Sequence, residues 1–317
     1  MSATDRPVPA ADLKPLLSQL VPTDRTSMSP EDQRAEYVEF VEMFRGEEPA
    51  FAGTVTDELI QTGRHSHTVP VRRYRPDSAA DAGHVLVYFH GGGWVLGNPV
   101  THDRFTRAIA DRLSLHVISV DYRLAPERPF PAAFDDCELV VAHAAEDATW
   151  LAVGGDSAGG NLAAAVAAHR ATKGNPVDAQ ILIYPGLDVP IEGGDTSLDG
   201  MGLDRSDIDY FWASYRGDRE PDPRLAPLLA PDPIPAPPTL VTTAGCDPLR
   251  PDGMQYAQRL IAADVPTMYV PFPHLIHGWL DLADAVASAG HAREILIDAI
   301  RVLRDSTAPT ERVTRKQ

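Results

Sequence analysis

The sequence predicts an α/β fold: a mostly parallel central sheet with helices on both faces. Three observations lead there. From about residue 53, strand-like and helix-like runs alternate along the chain. The strand-like runs are short and continuously apolar, as in Val85-Leu-Val-Tyr-Phe89, the pattern of strands buried on both sides. At 317 residues, 44% hydrophobic and 23% charged, the chain suits one large core with an insertion and is not a disordered polymer.

In chain order, Ser29-Pro30-Glu31-Asp32 reads as a helix start: a hydroxyl cap, a first-turn proline, then acids near the positive helix end. Tyr37, Phe40, Val41 and Phe44 continue it as an i, i+3, i+4, i+7 stripe. Strands are expected at Thr54–Gln61, Thr68–Tyr74, His84–Phe89, His116–Val120, Leu151–Val153, Gln180–Tyr184, Leu240–Thr243 and Thr267–Val270. Helices are expected at Arg104–Leu113, Ala132–Ala144, Gly159–Thr172, Pro251–Ala262 and Asp281–Leu303. The alternation breaks over 186–238. There Ser206-x-x-Asp209 suggests a capping box, and Ile208, Phe211, Trp212 and Tyr215 form another helical stripe. Pro221 to Pro238 holds eight prolines, which excludes a central strand. The expected organisation is an N-terminal segment 1–50, a core of 51–185 and 239–305, an insertion 186–238, and a frayed tail 306–317.

Charge and composition exclude several functions. Lys+Arg 28 against Asp+Glu 45 gives a net charge of −17, which argues against a nucleic-acid binder and tends to repel anionic substrates. Two cysteines, Cys137 and Cys246, cannot build a disulfide framework, and no metal-ligand pair is spaced around them. There is no signal-peptide pattern and no run approaching the ~20 apolar residues of a membrane span. A cytoplasmic protein needing no metal or organic cofactor is the expectation.

Four loops carry chemistry. Gly155-Asp156-Ser157-Ala158-Gly159 lies between the strand-like Trp150–Val153 and a helix-forming run, the setting in which a sharp turn presents a serine beside a helix N-terminus. His90-Gly91-Gly92-Gly93-Trp94 follows a strand. It is either a flexible turn or a loop whose N–H groups, with that of Ala158, receive an oxyanion. Asp247-Pro248 and His277-Gly278 each follow a strand, on the sheet edge where ligands bind in open α/β folds. Alone, an Asp-Pro is a turn and a His-Gly a surface loop. Together with Ser157 they complete a serine–acid–histidine order.

These residues, with Asp121-Tyr-Arg-Leu-Ala-Pro-Glu127, Pro129-Phe-Pro-Ala132 and Gly155-Asp-Ser-Ala-Gly-Gly-Asn161, resemble the hormone-sensitive-lipase family of α/β-hydrolases over about residues 60–300. The resemblance implies an α/β-hydrolase fold, carboxylesterase activity, and a helical cap built from residues 1–50 and 186–238. A homodimer through the edge strand and C-terminal helix is implied only by the resemblance. Cys246 departs from many relatives.

The expected mechanism is acyl transfer to Ser157, with His277 as base, Asp247 orienting it, and Gly92, Gly93 and Ala158 holding the oxyanion. The small-molecule ester would meet Trp94, Leu96, Asp156, Tyr184, Met201, Phe211, Leu249 and Ile276, with Phe40, Tyr210 and Trp279 as further candidate walls. A cap favours short to medium acyl chains. Rival histidines are His274, and His65 with His67, which alternate like metal ligands but lack a partner cluster. His102, His116, His143 and His169 carry no motif. Rival acids are Asp252 and Asp264. Arg123 and Glu127 are expected to brace the loop supporting the serine turn. Amide, lactone or carbamate hydrolysis by the same triad is the nearest alternative. A non-catalytic receptor, as in the gibberellin receptors that resemble this family, typically lacks the histidine present here at 277.

Overall fold

The apolar runs pair into an eight-stranded sheet in the order β1-β2-β4-β3-β5-β6-β7-β8. The strands are β1 (Gly53–Gln61), β2 (Thr68–Pro76), β3 (His84–Phe89), β4 (His116–Val120), β5 (Trp150–Asp156), β6 (Ala179–Ile183), β7 (Thr239–Cys246) and β8 (Thr267–Ile276). The β1–β2 and β2–β4 pairs are antiparallel, and every other pair is parallel. The structure, a computed structural model, describes residues 7–19, 24–48, 50–61, 67–79, 83–190 and 196–308. His65 lies outside these residues, as do 309–317 and parts of both expected cap segments.

The helices are α1 (Lys14–Leu17), α2 (Pro30–Phe44), α3 (Asp103–Leu113), α4 (Ala132–Ala144), α5 (Ala158–Thr172), α6 (Arg205–Arg216), α7 (Arg250–Ala262) and α8 (Ala287–Thr307). Strands alternate their side chains between faces, so the sheet divides the core in two. Val87, Phe89, Val153 and Leu182 point toward α4, α5 and α7. Leu86, Tyr88, Ala152 and Ile181 point toward α3 and α8. This is the double covering expected of a mostly parallel sheet.

Several boundaries differ from expectation for identifiable reasons. Strand β5 runs on to Asp156 because Gly154 and Gly155 pair with Ile181 and Leu182 while offering no side-chain signal. Strand β8 continues through Pro271 and Pro273, which an edge strand pairing only with β7 tolerates. Helix α8 starts at Ala287 rather than Asp281, after a 3-10 turn at Trp279–Leu282, and extends to Thr307, past the expected fraying point at 306. The Thr307 hydroxyl accepts from Trp150 Nε1 at 2.9 Å.

The helix start at Ser29 forms as expected, its hydroxyl accepting from Asp32 N–H at 3.1 Å. In α6 the capping box sits two residues earlier than read: Asp204 is the cap and Asp207 the reciprocal partner. A carboxylate fills the role assigned to a hydroxyl. Arg123 and Glu127 pair with Asp136 and Arg34, respectively. Arg123 Nη2 donates to buried Asp136 at 2.7 Å, tying the segment after β4 to α4. His67, which alternates with His65 but has no ligand cluster, contacts Asp136 at 3.0 Å.

Candidate active site

The turn from β5 into α5 forces Ser157 to φ 52°, ψ −117°, a conformation L-residues adopt only under constraint. The constraint is crowding. A Cβ on Gly159 would lie 1.9 Å from the Phe89 carbonyl oxygen, so only glycine lets α5 approach β3 this closely. Gly159→Ala should therefore lower stability by about 1–3 kcal/mol or more, read as a reduced urea midpoint. An unchanged midpoint would mean that the strand and helix separate without cost.

His277 follows β8 and Asp247 follows β7, so parallel pairing brings their loops to one sheet edge. His277 Nε2 lies 2.8 Å from Ser157 Oγ, and its Nδ1 lies 2.8 Å from Asp247 Oδ2. Asp247 is 1% exposed, and its second oxygen accepts from Leu249 N–H at 2.8 Å. Burial works to lower the His277 pKa, but the adjacent Asp247 carboxylate outweighs it and holds the imidazole above its usual 6.5.

The rivals stand elsewhere. Asp252 accepts from Leu187 and Asp188 N–H at 2.8 and 3.1 Å, fixing the start of the insertion, and burial pushes its pKa up to about 6. Asp264 is exposed in the turn after α7. His274 contacts Val8 O at 3.0 Å on the outer side of β8.

The glycine loop after β3 faces the serine. Gly92 and Gly93 have φ of 111° and 60°, in the left-handed range that favours glycine. A Cβ on Gly93 would meet the Phe211 ring at 2.3 Å. Among the described residues, no acceptor engages the N–H of Gly92, Gly93 or Ala158. All three residues line the same cavity as Ser157 and His277. That cavity has a volume of about 290 Å³.

Trp94, Leu96, Asp156, Tyr184, Phe211, Leu249, Ile276 and Phe40 line it. Met201 does not. It is buried in the apolar cluster with Tyr184 and Ile276, and its neighbours Gly200 and Gly202 line the cavity instead. Trp279 is likewise fully buried, packed edge-on against Tyr184 and Phe272. Tyr210 is held off the cavity, its hydroxyl accepting from Gln33 Nε2 at 2.7 Å. Asp156 lines the floor, but its carboxylate turns back under the glycine loop. One oxygen accepts from Tyr88 OH at 2.6 Å and Gly91 N–H at 3.1 Å.

Several residues at the site had no local signal. His102, read as a histidine without a motif, lies behind the loop, 3.4 Å from Asp156. Burial opposes its charge, yet that carboxylate pushes its pKa up to about 8. Asp281, read as a helix start, lines the cavity and accepts from Tyr37 OH at 2.9 Å, and burial pushes its pKa up to about 6. The N-terminal segment and α6 meet over the cavity: Arg25 pairs with Asp207 at 2.6 Å and stacks 4.9 Å over Phe211. Among the described residues, no cluster of three or more His, Cys, Asp or Glu could hold a metal ion, and no helix is long and apolar enough to cross a membrane.

A parallel sheet carrying a strained serine, hydrogen-bonded to a histidine and a buried aspartate beside free main-chain amides, defines an α/β-hydrolase. Comparison with known proteins agrees. Residues 86–281 match the family model described as alpha/beta hydrolase fold. Over 251 residues the chain is 39% identical to the carboxylic ester hydrolase LipN of Mycobacterium tuberculosis, a match covering 74% of this chain and 66% of LipN. It is 41% identical over 239 residues to the carboxylesterase NlhH of the same species, covering 71% of this chain and 75% of NlhH. A solved ester hydrolase from the metagenome of Lake Arreo, complexed with a bipyridine phosphonate derivative, superposes with a TM-score of 0.85 at 34% identity, covering 93% of this chain and 99% of that one. The chain belongs to the hormone-sensitive-lipase-like family of α/β-hydrolases, and it is a carboxylic ester hydrolase.

Proposed function

We propose that the chain hydrolyses short- to medium-chain acyl esters through an acyl-enzyme on Ser157. His277 takes the serine proton as Oγ attacks the ester carbonyl, then gives it to the departing alcohol. Asp247 keeps Nδ1 protonated, so that Nε2 offers its lone pair to the serine, and it stabilises the imidazolium that forms. The N–H groups of Gly92, Gly93 and Ala158 receive the oxyanion. Water activated by the same histidine then releases the acid.

The observation that carries this reading is the continuous contact from Asp247 through His277 to Ser157, two links of 2.8 Å each. Mass spectrometry after treatment with an alkyl phosphonate fluoride should place the adduct on Ser157. An adduct confined to another residue would overturn the assignment.

Acyl length follows from the cavity. Its volume of about 290 Å³ falls just below the usual range of ligand pockets, roughly 300–1,000 Å³. Residues from 1–50 and 186–238, acting as a cap, restrict its mouth: Arg25, Tyr37, Leu203 and Phe211 all line it. p-Nitrophenyl esters from acetate to hexanoate should be turned over faster than palmitate. Equal or faster palmitate cleavage would contradict the cap's role.

The pH profile has a definite sign. The reactive form of His277 is neutral, and its pKa is held above 6.5 by Asp247. Thus kcat/KM should fall as pH drops through a value above 6.5. A rate constant from pH 5 to pH 8 would exclude this base. For assembly, the family resemblance suggests a homodimer through the edge strand and C-terminal helix; analytical ultracentrifugation giving only monomer would reject it.

A further inference from the structure

We propose that Arg34, on helix α2 of the N-terminal segment, is a positioning residue for the main-chain amides that receive the oxyanion. The inference rests on the reading of Gly92, Gly93 and Ala158 given above. It adds that the alignment and donor strength of the glycine loop depend on a side chain from a separate part of the chain.

The path can be followed atom by atom. Arg34 Nε donates to the Val95 carbonyl oxygen at 2.8 Å. That carbonyl shares a planar peptide unit with the Leu96 N–H, which points the opposite way and donates to the Gly92 carbonyl at 2.8 Å. The Gly92 carbonyl in turn shares a peptide unit with the Gly93 N–H, which faces away from it. A guanidinium, two peptide groups and an oxyanion donor therefore form one head-to-tail hydrogen-bonded series. Holding the outer end fixes the orientation of the inner one. A permanent cation at the outer end also polarises each peptide in the same sense, strengthening the last N–H as a donor.

The loop needs such an anchor. Gly92 and Gly93 have no side chains to pack, and both have positive φ, so their conformation is weakly specified by the local sequence. The inner side is held by Asp156 through Gly91 N–H at 3.1 Å and by Tyr122 OH donating to His90 O at 2.8 Å. Arg34 supplies the outer hold. Its Nη2 also donates to Ala125 O at 3.0 Å, and Ala125 N–H donates to Trp94 O at 2.9 Å, so the loop is joined to the segment after β4.

Glu127 receives Arg34 Nη1 and Nη2 at 2.8 and 2.7 Å, but its side chain is 52% exposed. An exposed pair of this kind contributes little to stability. The carbonyl bonds, not the ion pair, are therefore the consequential part of the Arg34 contacts.

The test compares R34M, R34K and E127Q in the full chain, reading kcat and KM for p-nitrophenyl butyrate, melting temperature, and inhibition by an alkyl trifluoromethyl ketone. Ser157 Oγ adds to the ketone carbon, its proton passes to His277, and the former carbonyl oxygen carries the negative charge into the amide cradle. R34M should lower kcat by about 10- to 100-fold, less than the loss of a whole oxyanion donor, with KM within about two-fold. It should weaken the ketone by the same factor. R34K, which keeps the charge but lacks the planar fork that bonds both carbonyls, should recover part of both losses in parallel. E127Q should stay within about three-fold of wild type in every readout.

Unchanged kcat and ketone affinity in R34M would overturn the proposal. So would a loss confined to KM, or an E127Q defect as large as that of R34M. If R34M fails to fold, R34K decides: parallel losses in kcat and ketone affinity support the proposal, and unequal ones reject it. Failure of the ketone to inhibit wild type would instead refute the oxyanion-cradle reading, and this proposal with it.

Discussion

Ser157→Ala should abolish turnover of p-nitrophenyl butyrate, lowering kcat by on the order of 10⁴-fold or more. The hydroxyl is the group that would form the acyl-enzyme, and it is the one that His277 Nε2 contacts, at 2.8 Å. What remains is attack by unpositioned water near the amide cradle, a residual that is small but not zero in such sites. The variant should fold normally. Alanine keeps the Cβ at φ 52°, so the backbone constraint is unaltered and only one half-buried hydroxyl is removed. Retained activity in a variant with an unchanged melting temperature would remove Ser157 from the mechanism.

Asp247→Asn should be nearly as damaging, at about 10³- to 10⁴-fold in kcat, although the side chain keeps its volume. The carboxylate accepts from Leu249 N–H at one oxygen and faces His277 Nδ1 at the other. In asparagine the single carbonyl oxygen satisfies the Leu249 N–H, which leaves the amide NH₂ toward Nδ1. The imidazole then presents a lone pair at Nδ1 and an N–H toward Ser157, so it can no longer take the serine proton. The imidazolium also loses its counter-charge at a site where both partners are removed from water. Loss of the carboxylate should also lower the His277 pKa, so the residual activity should persist to more acidic pH than wild type. An Asp247→Asn enzyme within ten-fold of wild type would mean that another acid orients the base. Asp252, occupied with Leu187 and Asp188, is poorly placed to be that acid.

The amino-acid sequence alone determined the layered α/β architecture, the serine turn, the glycine loop, and the histidine and aspartate of the site. Each leaves a local signature: alternating apolar runs, glycines where backbones cross too closely for a Cβ, and polar residues placed immediately after strands. Only the tertiary structure decided what lies between those motifs. Met201, expected at the ester, turns into the core, while adjacent Gly200 and Gly202 line the cavity. Helix α8 begins after a separate turn, and Asp281 in that turn is engaged by Tyr37 from a helix 244 positions earlier in the chain. Arg34 and His102 reach the glycine loop although no sequence motif points either of them to it. The physical reason is the same in each case. Hydrogen-bond partners distant along the chain are chosen by which surfaces the core brings together, and a one-dimensional pattern records the periodicity of each surface but not its neighbour.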